Sequence, residues 1–134
     1  MKILRKGRII IINMIIYILR IKEVLKEMIN IKDIKRLIND RKIRWTNHVM
    51  VRLLQRNISQ NDIENAILNG EIIEEYEDSY PYPYPSCLVY GINLNNKVIH
   101  IVCGSNGEEL WIITAYYPDN IEWQSDFKTR KEKK

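Results

Sequence analysis

After Met28 the spacing of apolar residues changes once along this chain, and the change decides which folds are open to it. Between Asn30 and Gly70 they recur every three or four residues, as in Ile31, Ile34, Leu37 and Ile38; from Glu71 they alternate with a period of two, as in KVIHIVCG. The first spacing turns one helix stripe into a core, and the second sends alternate strand residues to one face of a sheet. Helical segments followed by strands predict an α+β domain, with N-terminal helices packed on a small antiparallel β-sheet of about four strands.

Each helical segment carries its own boundary signals. Asn30 stands as N-cap before the first, and Thr46 or Asn47 before the second, with Met50, Leu53 and Leu54 expected on its buried side and Asn57 at its stop. Ser59 caps the third, Asp62 adds negative charge to its first turn, Ile63, Ala66 and Ile67 form its buried stripe, and Gly70 ends it. EIIEEY, SCLVYGIN, KVIHIVCG and ELWIITAYY then read as strands, broken by turn residues at Asn93 to Asn96 and Gly104 to Gly107. Short connections favour an antiparallel meander. In YPYPYPS, Pro81, Pro83 and Pro85 lack an N–H, so this stretch reads as a polyproline-like loop before the second strand. A hairpin loop of Leu94 to Asn96 would set Asn93 opposite Lys97 and Cys87 opposite Cys103.

A length of 134 residues suits one domain. We expect it at 28–130, preceded by an apolar and basic extension, 1–27, and followed by a basic tail, 131–134. Within the extension Ile9 to Leu19 is about half as long as the roughly 20 residues a membrane span needs. Arg20 and Lys22 follow at once and no small-residue cleavage site appears, against a signal peptide. The extension is either an extra helix packing on the domain or the product of a start assigned too early, with Met14 or Met28 the true one. Attachment to a membrane surface ranks last among the functions open to the chain, because the apolar residues run too continuously for an amphipathic face. The expected location is the cytoplasm, with reduced thiols.

The net charge of +4 conceals an asymmetry. Residues 1–57 hold fifteen Lys/Arg against four Asp/Glu, residues 58–126 hold one against twelve, and residues 127–134 hold five against one. Clustered cations suit a polyanion such as RNA; the same counts also fit charges that coat solvated helices. With two cysteines and no C-x-x-C pair, no metal site and no cofactor are expected. Neither a Gly-rich phosphate loop nor a serine-nucleophile elbow is present, which lowers the nucleotide-hydrolysing classes.

Four places carry side chains suited to chemistry. His48, Arg52 and Arg56 stand four apart, making a slanted helix stripe that is either an active-site row or a wet face. His100 shares a strand face with Val98 and Val102; Thr114 and Tyr116 share one on the last strand. The tail, with Arg130 and its neighbouring lysines, is either a phosphate contact or a frayed terminus.

The run WTNHVMVRLLQRNISQNDIENAILNGEIIEEY, then YPYPSCLVYG, VIHIVC and IITAYYPD, with Trp123 and Arg130 following, resembles the domain-of-unknown-function family 4258 from about Ile31 to Arg130. The HxxxR pair, the NGEIIE turn, the PS-x-L-x-x-G strand, the strand histidine and the T-x-Y-x-P ending carry the likeness. Met1 to Glu27 has no counterpart in it, and the doubled YPYP is longer than the common form. The resemblance implies a RelE-like fold and a metal-independent endoribonuclease toxin of a type II toxin–antitoxin system. Its partners would be RNA, free or on the ribosome, and a small zinc-finger antitoxin of the MqsA type. In that reading His48 takes the proton of the substrate's 2′-hydroxyl, Arg52 and Arg56 stabilise the phosphoryl oxygens, and His100 or Tyr116 protonates the leaving oxygen. Arg56, Thr114 and Arg130 contact the RNA. A non-catalytic RNA- or protein-binding module of the same fold is the alternative.

Overall fold

The structure, a computed structural model, describes residues 2–27, 29–76 and 84–132. In chain order its elements are α1 (Lys2–Glu27), α2 (Ile31–Asn39), β1 (Ile43–Trp45), α3 (Asn47–Gln55), α4 (Gln60–Leu68), β2 (Glu71–Tyr76), β3 (Ser86–Ile92), β4 (Val98–Ser105) and β5 (Leu110–Tyr116). The helix starts follow the capping residues. Asn30 accepts from the Lys32 amide at 2.8 Å, and Thr46 from the Val49 amide at 3.1 Å. Ser59 and Asp62 form a reciprocal capping box at α4. α3 ends in a Schellman turn: Asn57 takes φ +56° and the Ile58 amide reaches back to the Leu53 carbonyl at 2.9 Å.

β2 to β5 form the expected antiparallel meander, but the sheet has five strands in the order β1-β5-β4-β3-β2. The four-stranded antiparallel expectation is corrected by β1, which pairs parallel with β5, Ile43 to Trp45 against Leu110 to Ile112. Three residues are too few to show a period of two, and their partner lies more than sixty residues on. At the hairpin, Asn93 donates to the Lys97 carbonyl at 2.8 Å and Asn96 takes φ +63°. Cys87 pairs across the strands with Cys103, the two free thiols 3.8 Å apart.

Helices α2, α3 and α4 cover one sheet face. Ile34, Leu37, Val49, Leu53, Ile63 and Ile67 meet Val89, Ile99, Ile101 and Ile112 in one core. α4 lies so close to β3 that a Cβ on Gly91 would stand 2.0 Å from the Ala66 carbonyl oxygen. The buried side of α3 differs from expectation, since Val49 and Leu53 are buried whereas Met50 is 38% and Leu54 83% exposed. Positions 49, 53 and 56 follow the i, i+4, i+7 rule, so Arg56 belongs to the inward stripe.

The opposite sheet face bears Leu88, Tyr90, His100, Val102, Thr114 and Tyr116 in register across β3, β4 and β5. A C-terminal segment, closed by a Trp123–Arg130 bridge, folds back over it and buries Trp123. Most of the YPYPYPS stretch lies outside the described residues; Tyr84 and Pro85 lead into β3. α1 is helical, and from Lys6 to Lys22 every residue but the partly covered Gly7 is exposed. No helix among the described residues is long and apolar enough to cross a membrane.

Candidate functional site

β1 ends at Trp45, Thr46 caps the next turn, and α3 then rises beside β5. This places His48, in the first turn of α3, at the rim of a cleft of about 430 Å³. Thr46 and Val49 share its near side; Tyr84, Trp111 and Ile113 line the rest, with Gly104 among them. The Tyr84 and Trp111 rings stack at 4.9 Å and 21°, forming a flat aromatic wall. The cleft therefore combines an apolar, aromatic lining with one imidazole. Arg52, a turn further along α3, is exposed and forms no ion pair among the described residues.

Arg56 points elsewhere. It donates to the Thr114 hydroxyl at 3.0 Å and to the Ala115 carbonyl at 2.8 Å. β1 pairs with β5 only as far as Ile112, so beyond it this edge of β5 has no strand partner among the described residues, and the guanidinium supplies a donor there. Arg56 and Thr114, expected to contact RNA, are thus brought together with each other.

His100 and Tyr116 form a second group, on the sheet face beneath the C-terminal segment. His100 is fully buried, with Nε2 2.7 Å from the Phe127 carbonyl and Nδ1 3.2 Å from the Tyr116 hydroxyl. A carbonyl only accepts, so Nε2 carries the proton and Nδ1 accepts from the tyrosine. Phe127 adopts φ +54°, a left-handed conformation rare for a bulky residue, and its carbonyl meets the imidazole. Trp123 packs edge-on against the ring at 4.5 Å; its buried Nε1 has no hydrogen-bond partner among the described residues. Arg130 crosses above Trp123 at 4.6 Å and grips Glu74 through two hydrogen bonds of 2.6 and 2.9 Å, while Tyr76 donates to the same carboxylate at 2.6 Å.

The electrostatics of this group follow from burial. Loss of solvent holds the His100 imidazole below its ordinary value, opposed by the Phe127 carbonyl and the Glu74 charge. Burial likewise raises the phenols of Tyr116 and Tyr76, so both stay protonated donors, and the Arg130 hydrogen bonds hold Glu74 below the usual carboxylate range. A stability–pH profile follows. The unfolded imidazole titrates near its ordinary value, about 6.5. Between there and the lower folded value the unfolded chain binds more protons, so stability falls as pH is lowered through that window. Urea unfolding at pH 7.5 and pH 5 is expected to show this loss in the native chain and a smaller one in His100→Asn; equal losses would remove His100 as the cause.

The expected site residues therefore divide. His48 lines the cleft and Arg52 stands close by on the same helix, whereas His100, Tyr116 and Arg130 lie under the C-terminal segment and none of them lines the cleft. Tyr84 and Trp111 were not foreseen. Trp111 sits opposite Gly104 in the β4–β5 register, a large residue across from the smallest. The charge asymmetry also closes on itself in space: Arg44 pairs with Glu109 at 2.7 Å, Lys128 with Glu71, Arg130 with Glu74 and Arg41 with Glu64.

These features define a helix-backed α+β domain with a histidine-rimmed aromatic cleft. The chain belongs to the domain of unknown function family DUF4258, whose sequence pattern matches residues 45–117, more than half of the chain. The match spans α3, α4 and β2 to β5, and is narrower than the expected reach from Ile31 to Arg130. No curated protein and no solved structure matches the chain.

Proposed function

We propose that this protein is an endoribonuclease of the toxin type, with a RelE-like arrangement of helices on a small sheet, and that RNA enters the His48 cleft. The observation that carries the reading is the placement of one imidazole, His48, on an aromatic cleft, one helical turn from the exposed guanidinium of Arg52, which has no ion-pair partner among the described residues. A base stacks on the Tyr84–Trp111 wall, since every nucleobase has a π-face that an aromatic ring can meet. His48 takes the proton of the 2′-hydroxyl as it attacks the adjacent phosphorus, and Arg52 stabilises the charge growing on the phosphoryl oxygens. The departing 5′-oxygen takes its proton from the Tyr84 phenol or from water. His100 and Tyr116 hold the sheet and C-terminal segment together in this version of the site. The partners in the proposal are RNA and a small zinc-finger antitoxin.

A second reading is favoured by one specific observation: the lining of the cleft holds a single imidazole, while His100 has both ring nitrogens engaged elsewhere. A non-catalytic RNA- or protein-binding module needs only the aromatic wall and Arg52.

Inducible expression joined to an assay of the purified chain separates the two. The enzyme reading expects growth arrest with RNA cleavage, lowered about 100-fold or more by His48→Ala. It expects a loss of about the same order from Arg52→Ala, while Trp111→Ala chiefly weakens RNA binding. Binding without cleavage that survives His48→Ala and falls with Trp111→Ala would establish the module; arrest and cleavage that persist in both the His48 and Arg52 variants would sink the proposed site.

A further inference from the structure

We infer that α1 is an attachment helix for an anionic lipid surface, lying within one leaflet of the membrane. The large apolar side chains from Ile9 to Leu19 are between 44 and 67% exposed, and they point in every direction around the helix, interrupted only by Asn13. A helix apolar on all sides is stable when its whole circumference is covered. A groove covers one side; a fluid apolar phase covers all of them.

The dimensions fit one leaflet. The run of Ile9 to Leu19 is about 16 Å long at 1.5 Å per residue, and a helix with side chains is about 10–12 Å across. The hydrocarbon core is about 30 Å thick, so such a cylinder is too short to cross it and thin enough to lie in half of it. Both ends of the run are cationic: Arg5, Lys6 and Arg8 precede it, Arg20 and Lys22 follow it, and residues 2–22 hold no Asp or Glu. Long basic side chains reach from a submerged helix up to the phosphates, so the chain needs no polar helix face between them.

The same charges argue against a second copy as the occupant. Arg8 and Arg20 stand symmetrically about Met14. A parallel pair of α1 helices sets Arg8 beside Arg8 and Arg20 beside Arg20, and an antiparallel pair sets Arg8 beside Arg20. Either pairing brings like charges together with no carboxylate along the run to offset them, whereas anionic headgroups complement both ends.

The test is co-sedimentation of the full chain with vesicles of phosphatidylcholine alone and of phosphatidylcholine with phosphatidylglycerol, at low and high salt. Binding to the mixed vesicles is expected to be at least roughly tenfold tighter than to the neutral ones, and to weaken with salt. Ile12→Glu with Ile16→Glu should abolish it by adding charge to the submerged run, and Arg8→Glu with Arg20→Glu should remove the preference for anionic lipid. The thermal unfolding of the domain should be unchanged in both, because the substituted side chains are exposed. No sedimentation with mixed vesicles, or sedimentation that both double variants retain, would overturn the inference. A lipid-free oligomer that Ile12→Glu with Ile16→Glu converts to monomer, without vesicle binding by the native chain, would assign α1 to a second copy instead.

Discussion

A Gly91→Ala variant is expected to lose about 3 kcal/mol of stability, the upper end of the usual cost of overpacking. The added Cβ would stand 2.0 Å from the Ala66 carbonyl oxygen and 2.6 Å from its carbon. Both obstacles are backbone, so no side-chain rotation relieves them, and α4 must lift from β3. That helix brings Ile63, Ala66 and Ile67 into the core, all fully buried. For a domain of this size the loss corresponds to a fall in Tm of about 10 °C or more. Gly104→Ala is the internal control: its Cβ would meet the Pro85 carbonyl oxygen at 3.3 Å, which a small shift accommodates, and a cost below about 1 kcal/mol is expected. Differential scanning calorimetry of the two variants reads the comparison. If Gly91→Ala melts within a degree or two of the native chain, α4 does not lie against β3 as described.

Trp123→Ala is expected to cost about 3–5 kcal/mol, the range for deleting a large buried aromatic side chain. Trp123 is 1% exposed, packs on the His100 ring at 4.5 Å and has the Arg130 guanidinium over its ring at 4.6 Å. Without it the C-terminal segment keeps only polar ties to the sheet, Phe127 to His100, Arg130 to Glu74 and Lys128 to Glu71, and water reaches an imidazole that the native fold buries. Two readouts move together: the urea midpoint falls, and limited proteolysis cuts between Tyr117 and Arg130 at concentrations that leave the native chain whole. Trp123→Phe retains an aromatic ring and removes an indole N–H that has no partner among the described residues, so its cost is expected to stay below about 1.5 kcal/mol. A Trp123→Ala protein as stable and as protease-resistant as the native one would show that the segment is not held by this side chain.

Much of the local structure is legible in the residues themselves. Asn30, Thr46 and Ser59 cap the helices they precede, because a cap satisfies amides two or three residues away and needs nothing else from the fold. The four strand spans and the Cys87–Cys103 register follow from alternation and a three-residue loop, again short-range information. The face of α3 was less legible. Met50 and Leu54 are as apolar as Val49 and Leu53, and only the position of β5 decides which pair turns inward.

The division of the candidate site has the same origin. His48 and Arg52 belong together by sequence, one helical turn apart, and they remain together in space. His100 looks like their partner because it is an ionisable side chain on a strand, yet its environment is made by Phe127, Tyr116, Trp123 and Glu74, residues contributed by the C-terminal segment and by two other strands, β5 and β2. Arg56 reads as a third cation on an exposed row, and becomes the donor that closes an edge of β5 fifty-nine residues away. Thus the sequence by itself determined the helix starts, the strands, the hairpin register and the cationic ends of the apolar N-terminal run, since periodicity, capping and charge act over a few residues. The tertiary structure alone decided that β1 joins the sheet, that the basic and acidic parts of the chain pair, and that His48 and His100 serve different places. Those outcomes depend on which distant groups compete for the same buried donors and acceptors, and a contact across some sixty residues leaves no local pattern to read.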